Sequence, residues 1–131
     1  MFTINFADAL VTMKTALNEG RLQFQNLPTN PTDREPDCEY RTNYTSEGKP
    51  IGCAWGVCFP DNLAEDLGSE SIGSTPLVEI VGAPYPEAAV DLQTAHDDLV
   101  KEMWRGDIDL DEANDLMLKA LDEAGATNTG S

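Results

Sequence analysis

The beginning of the chain repeats an apolar residue every three or four positions. This spacing is typical of one face of a helix and predicts a helix over residues 6–19. Asn5 is a suitable N-cap because its side chain can accept a hydrogen bond from the first turn, and Gly20 suits the helix end. The apolar positions that carry the pattern are Phe6, Leu10, Met13 and Leu17.

The same periodicity returns in the last third of the chain. Pro86 is placed to begin a helix that continues to Arg105, where Gly106 stops it. Asp109 and Glu112 then form a capping pair for a second helix over 110–124, which Gly125 closes. A short connection between two amphipathic helices favours an antiparallel helical hairpin, packed over a sheet.

The middle of the chain alternates in the manner of a strand. We expect a β-hairpin over about 38–59, made from a short strand at 38–41 and a longer one at 50–59. In the longer strand, large and small residues fall on opposite faces, so another segment can pack closely against the small face. The large face is Ile51, Cys53, Trp55, Val57 and Phe59, and the small face is Gly52, Ala54, Gly56 and Cys58.

Three further segments complete the predicted elements. Residues 21–25 alternate and suggest a short edge strand, and residues 61–67 suggest a helical turn. The segment 76–81 has the start signals of a helix, with Pro76 at the first position, but its interior suits a strand equally well. The predicted fold is therefore α+β: a short antiparallel sheet, an N-terminal helix and a C-terminal helical hairpin. It forms one domain over 1–125, followed by a flexible tail at 126–131.

Charge is the strongest compositional signal. The 131 residues contain 24 Asp and Glu against 8 Lys and Arg, a formal net charge of −16. Direct binding to nucleic-acid phosphates or to an anionic membrane needs clustered basic side chains, so both partners are disfavoured. A basic protein surface is the natural partner, and solubility alone is the competing explanation of the acidity.

More than half of this charge falls in the two C-terminal helices. From Glu87 to Glu123 twelve acids stand against three basic residues. A row of carboxylates on two adjacent helices can imitate the phosphate array of a nucleic acid, whereas the alternative is the ordinary solvated face of an amphipathic hairpin. We call the following nine residues the acidic ridge: Glu87, Asp91, Asp98, Glu102, Asp111, Glu112, Asp115, Asp122 and Glu123.

Candidate chemistry is sparse. His96 is the one histidine and falls on the apolar face of its helix, where we expect a buried imidazole with a hydrogen-bond partner. Asp97 falls off that face and is not expected to orient His96, so catalysis by a cysteine and a histidine has no local support. We therefore predict no catalytic residue and no cofactor, and assign Cys53, Trp55 and His96 structural roles.

Zinc is the remaining chemical alternative. Cys38, Cys53, Cys58 and His96 would make a Cys3His ligand set. No C-x-x-C pair is present, and Cys53 and Cys58 would point to opposite faces of a regular strand. We therefore predict no metal site. An odd number of cysteines indicates reduced thiols that pack as small apolar groups.

Two short motifs resemble a known group of proteins. A C-A-x-G stretch followed by P-D, and later an L-Q-x-A-H-D helix, resembles small uncharacterised proteins of tailed bacteriophages and some bacteria. The resemblance covers about a third of the chain and implies a phage-like origin without an activity. It also implies that the hairpin and the helix of His96 form one unit. The residues that carry it are Cys53, Ala54, Gly56, Pro60, Asp61, Leu92, Gln93, Ala95, His96 and Asp97.

These observations favour a non-enzymatic binding protein. It would block a basic host protein that handles nucleic acid, such as a nuclease, repressor, polymerase or defence protein. A structural or accessory phage protein is the alternative, and a zinc- or thiol-dependent enzyme is the remote one. The N-terminus has no basic region followed by an apolar run, and no long apolar stretch occurs, so we expect a cytoplasmic location. The sequence leaves open whether the protein forms a homodimer.

Overall fold

The computed structural model describes residues 2–27, 40–67, 72, 77–84 and 87–128. The chain begins with strand β1 (Phe2–Asn5) and passes directly into helix α1 (Phe6–Asn18). The Asn5 side chain accepts hydrogen bonds from the backbone N–H groups of Ala7 at 2.9 Å and Asp8 at 3.3 Å. The predicted helix and its cap are therefore confirmed, whereas β1 was not predicted.

The partner of β1 is the segment whose sequence left helix and strand open. Residues of this segment form strand β4 (Val78–Val81), so of the two alternatives for 76–81 the structure shows the strand and not the helix over the described residues. β1 and β4 pair in parallel, with Phe2 opposite Val78 and Asn5 opposite Val81. Valine and isoleucine fit this pleated, half-buried position better than a helix, and β1 supplies the ladder partner.

The antiparallel hairpin is present but much shorter than 38–59. It pairs β2 (Asn43–Tyr44) with β3 (Pro50–Ile51), and the Thr42 N–H extends the pairing by donating to Ile51 O at 2.8 Å. In the predicted strand at 38–41, Tyr40 and Arg41 are not strand residues, while Cys38 and Glu39 lie outside the described residues.

The longer predicted strand at 50–59 is wrong beyond its first two residues. After an isolated parallel bridge between Leu22 and Gly52, the chain turns, and Gly56–Cys58 is a 3₁₀ helix. Successive backbone bonds close these turns: Val57 N–H donates to Cys53 O, and Phe59 N–H donates to Gly56 O, both at 3.2 Å. The alternation of large and small residues wrongly predicted a strand here. Residues of both sets are buried, so the pattern did not separate a core face from a solvent face.

Residues 21–25 do not form an edge strand. Apart from the bridge at Leu22 they make a 3₁₀ helix at Gln23–Gln25. The Gln25 side chain accounts for this conformation, because it accepts from the Leu22 N–H at 3.0 Å and donates to Leu17 O at 3.0 Å. Gln25 also donates to Asn114 Oδ1 at 2.9 Å and so ties this turn to the C-terminal helix.

The remaining helices lie where the sequence predicts them. They are α2 (Asp61–Leu67), α3 (Ala88–Arg105) and α4 (Leu110–Asn128). Gly106 ends α3 in the left-handed conformation at φ 77°, and Asp109 caps α4 by accepting from the Glu112 N–H at 2.8 Å. Gly125 does not end α4, which continues to Asn128.

One hydrophobic cluster joins the helices to the turn at 53–59. α1 and α3 both pack against α4, and the first turns of α3 lie beside the last turns of α4, so the C-terminal pair is antiparallel. The predicted α+β class, with an N-terminal helix and a packed C-terminal helix pair, is confirmed. Among the described helices, none combines the length and the apolar character needed to cross a bilayer.

Candidate functional site

The acidic ridge lies on the outer surface of α3 and α4. Eight of its nine side chains are exposed, and Glu102 is half-buried. The buried faces of the same helices carry Leu92 and Leu99 on α3, and Met117 and Leu121 on α4. Amphipathic helices with this division direct their charged faces toward solvent.

The ridge is divided between two edges of the helix pair. On α3, Asp91, Asp98 and Glu102 are seven and four residues apart, and this spacing keeps them on one side of the helix. That side faces α4, because Asp91 and Ala95 line a cavity between the two helices. On α4, Glu123 lines the same cavity, and Glu112, eleven residues earlier, lies on the same side. These five residues form the α3–α4 edge of the ridge.

The other edge of α4 faces α1. Asp122 pairs with Lys14 of α1, with 2.7 Å between Lys14 Nζ and Asp122 Oδ1. Asp111 and Asp115 precede Asp122 by eleven and seven residues and therefore share its side of the helix. The structure thus brings Asp91 and Glu123 together and separates them from Asp111, Asp115 and Asp122.

Several basic side chains lie away from the ridge and are engaged with other acids. Glu19, at the end of α1, binds Arg21 and Lys49, each at 2.8 Å, and these two cations hold the pKa of Glu19 below its ordinary value, Lys49 most strongly. Arg41 pairs with Asp61 at the start of α2. These three cations are therefore engaged outside the helix pair, whose own acids outnumber its three basic residues.

The cavity between α3 and α4 has a volume of about 300 Å³. Among the described residues, the side chains that line it are apolar except for two carboxylates, and none of them is basic. Sequence patterns gave no sign of it, because it depends on where small residues of two helices meet. The lining residues are Pro84, Ala88, Asp91, Leu92, Ala95, Ala120, Glu123 and Ala124.

His96 is fully buried, as predicted. Its Nδ1 lies 3.3 Å from Asp97 Oδ1, and its ring meets the ring of Phe24 edge-on with 5.7 Å between centroids. The expectation that Asp97 would not orient His96 is therefore wrong: Gln93 Nε2, one turn earlier, donates to Asp97 Oδ1 at 3.0 Å and holds the carboxylate beside the ring. Among the described residues, His96 Nε2 has no hydrogen-bond partner.

Gln93 also links α3 to the turn that contains Trp55. The Trp55 backbone N–H donates to Gln93 Oε1 at 3.2 Å, and its indole Nε1–H donates to Ala89 O at 2.9 Å. Trp55 is fully buried, so both bonds satisfy groups that water cannot reach. The sequence indicated a structural role for Trp55, and Gln93 was named only as a residue of the L-Q-x-A-H-D motif, without this contact.

The two described cysteines are free thiols, Cys53 buried and Cys58 partly buried. Burial raises the pKa of both thiols to about 12, so they are almost entirely protonated at neutral pH. Within the described residues, no three His, Cys, Asp or Glu side chains are grouped to hold a metal ion. Cys38, the third cysteine of the zinc alternative, lies outside the described residues.

The raised pKa values predict slow thiol chemistry. In a Cys38→Ser variant, the remaining two thiols should resist an aromatic disulfide reagent at pH 8, where roughly 1 in 10⁴ would be thiolate. Both should react at once in 6 M guanidinium chloride, which serves as the control for their presence. A native thiol in this variant that reacts at the rate of free cysteine would contradict the burial described above.

The fold and the surface define a small α+β protein with an acidic helix pair. The chain matches no known protein family, no curated protein and no solved structure.

Proposed function

We propose that this protein is a non-enzymatic binding protein that occupies the basic, nucleic-acid-binding surface of another protein. The observation that carries the proposal is the acidic ridge, with nine carboxylates on the outer surface of two packed helices. Such a surface attracts a basic groove and accelerates its association. In the phage setting that the sequence motifs imply, the partner is a cytoplasmic host protein such as a nuclease, repressor, polymerase or defence protein.

The density of the ridge supports imitation of a phosphate array. α3 has 18 residues and is about 27 Å long, a length over which B-DNA carries about 16 charges. The α3–α4 edge places five carboxylates along this length, so it reaches about a third of the charge density of the duplex. We therefore expect binding that weakens with salt, but less steeply than the binding of DNA to the same partner.

Two buried features support the non-enzymatic part of the proposal. Burial keeps Cys53 and Cys58 protonated, and the thiolate is the form that acts as a nucleophile. The imidazole of His96 is fully buried, so a substrate in solution does not reach it.

The test compares two variants of equal net charge. The ridge variant carries Asp91, Asp98, Asp111 and Asp115 changed to Lys. The control variant carries the same change at four exposed acids outside α3 and α4, namely Glu47, Glu65, Asp66 and Glu79. Immobilised wild type is used to capture host proteins, and each captured protein is then purified and titrated against both variants.

The expected result is a nucleic-acid-binding protein that is displaced by a 20-bp DNA duplex and released by rising salt. The ridge variant should lose about 100-fold or more in affinity, because lysines would meet the basic groove. The control variant should bind within a few-fold of wild type. Equal loss in both variants, or binding that ignores salt and DNA, would support the alternative of an accessory protein whose acidity serves solubility.

A further inference from the structure

The parallel sheet of β1 and β4 is exposed in a way that is unusual for parallel strands. Parallel strands are normally buried on both faces, and a pair of short strands is marginally stable on its own. Here every second residue is exposed, namely Thr3 and Asn5 on β1 and Glu79 and Val81 on β4. One face of this sheet therefore meets solvent.

β4 also has an open edge. The Phe2 N–H donates to Leu77 O at 2.8 Å, and Phe2 stands opposite Val78, so the backbone groups of Leu77, Glu79 and Val81 point toward β1. The N–H and C=O groups of Val78 and Ile80 point the other way. Among the described residues, no backbone group is bonded to them on that side, and no strand pairs with this edge.

The outer edge of β1 offers less to a further strand. Its last residue, Asn5, is the N-cap of α1, and the C=O of an N-cap accepts the first hydrogen bond of the helix. Phe2 and Ile4 direct their backbone groups toward β4, which leaves Thr3 as the residue of β1 that faces outward. The edge of β4 is therefore the one on which a strand can be added.

We propose that β4 binds an extended segment of another protein as a third, antiparallel strand. The segment carries a lysine or arginine opposite Glu79, with apolar residues two positions before and after it. This contact uses no residue of the acidic ridge and goes beyond the proposed function.

The geometry of the edge selects this occupant. Antiparallel pairing is the commoner and slightly stronger arrangement, and it would satisfy the N–H and C=O groups of Val78 and Ile80. Glu79 would then stand in a non-hydrogen-bonded pair, the position in which facing side chains approach most closely. An opposite charge at that position stabilises the pairing, and a like charge destabilises it.

The neighbours of Glu79 define the rest of the segment. Leu77 and Val81 stand two residues to either side, and each is 40% exposed, so apolar side chains facing them would remove apolar surface from water. A second copy of this chain is disfavoured. Antiparallel pairing of two β4 strands would bring the two Glu79 carboxylates close together and would join two chains that each carry a charge of −16.

The probe is the blocked pentapeptide acetyl-Val-Thr-Lys-Thr-Val-amide, added to the ¹⁵N-labelled full chain. We expect saturable shifts of the amide signals of Val78 and Ile80. At saturation the exchange of these two amide hydrogens should slow roughly tenfold, because the peptide accepts hydrogen bonds from them. Shifts that do not saturate, or unchanged exchange of both amides at saturation, would overturn the proposal.

Two N-methylated peptides test the pairing without any change to the protein. Methyl groups on the backbone nitrogens of the second and fourth residues remove the donors that would face β4 in antiparallel pairing. Methyl groups on the third and fifth residues leave those donors in place. We expect roughly tenfold weaker binding or more for the first peptide, and binding within about threefold of the parent for the second. Equal weakening of both would show that no antiparallel ladder forms.

A charge exchange tests the side-chain pair. Glu79→Lys, at an exposed position, should weaken binding of the lysine peptide roughly fivefold or more, and should favour the same peptide with glutamate at its centre. Glu65→Lys is the matched control, because it makes the same change of charge at an exposed position of α2. It should stay within about twofold of wild type. An equal loss in Glu65→Lys, or no preference of Glu79→Lys for the glutamate peptide, would contradict the pairing.

The same variants separate this contact from the acidic ridge. A host protein that is captured through β4 should lose affinity for Glu79→Lys alone and keep its affinity for the ridge variant. A partner of the ridge should do the reverse. The failure of one proposal is therefore distinguishable from the failure of the other.

Discussion

Gly56→Ala is expected to abolish folding or to remove most of the stability of the protein. A Cβ atom at this position would lie 1.8 Å from the carbonyl oxygen of Tyr40 and 2.5 Å from its carbonyl carbon. Both are backbone atoms, and the neighbouring backbone of Tyr40 is fixed by the bond from Thr42 to Ile51. Relief of the clash must therefore move the hairpin away from the core.

The expected loss is about 4 kcal/mol or more, a large share of the stability of a small domain. Gly52→Ala should behave in the same way, since its Cβ would lie 2.0 Å from the same oxygen. Urea denaturation followed by circular dichroism measures both variants, and protease resistance reports any variant that is already unfolded in buffer.

Gly125→Ala is the matched control because it makes the same chemical change in open surroundings. Its Cβ would meet Leu10 Cδ1 at 3.8 Å, an ordinary contact, and the residue lies inside α4. Alanine there should raise the free energy of unfolding by about 0.5–1 kcal/mol. A Gly56→Ala variant with the urea midpoint of wild type would show that the Tyr40 carbonyl is not held against this glycine.

In the middle of the chain, the small residues could be interpreted from the sequence more reliably than the secondary structure that carries them. Small residues at Gly52 and Gly56 correctly indicated the close approach of another segment, which is the backbone of Tyr40. The strand that was predicted to carry them was wrong, because alternation distinguishes a strand only when one face meets solvent. Here residues on both faces are buried, and turn hydrogen bonds replace the ladder after Ile51.

Helix boundaries were predictable because their signals are local. Asn5, Gly106 and Asp109 act on atoms within a few residues of themselves, and the structure places each at the predicted helix end. Gly125 failed as a stop signal because it keeps a helical conformation against α1 instead of turning left-handed.

The parallel pairing of β1 with β4 could not be found in this way. Each strand has four residues, and the two lie far apart in the sequence, so neither segment carries a local mark of its partner. The same limit applies to the candidate site. Each acid of the ridge could be identified from the sequence. The position of Asp91 and Glu123 at the same cavity could not, because it depends on how α3 packs against α4.

We expect Arg41 to contribute more to the free energy of unfolding than its ion pair with Asp61 alone would contribute. Only 5% of its side chain is exposed, and its Nη2 donates to Gly56 O at 3.1 Å and to Phe59 O at 2.8 Å. These carbonyls belong to the turn that packs against α1, and Nη1 of the same guanidinium binds Asp61 at the start of α2. Arg41 therefore connects its own segment before the hairpin to the turn at 56–59 and to the start of α2.

Arg41→Lys should lower the free energy of unfolding by about 2–4 kcal/mol, because one ammonium cannot reproduce the planar set of bonds and leaves carbonyls unpaired. Asp61→Asn, which removes only the ion pair, should cost less than about 1 kcal/mol, because the Asp61 side chain is 65% exposed. Urea unfolding of both variants measures the difference. Equal losses would mean that the exposed ion pair, rather than the carbonyl bonds, carries the contribution of Arg41.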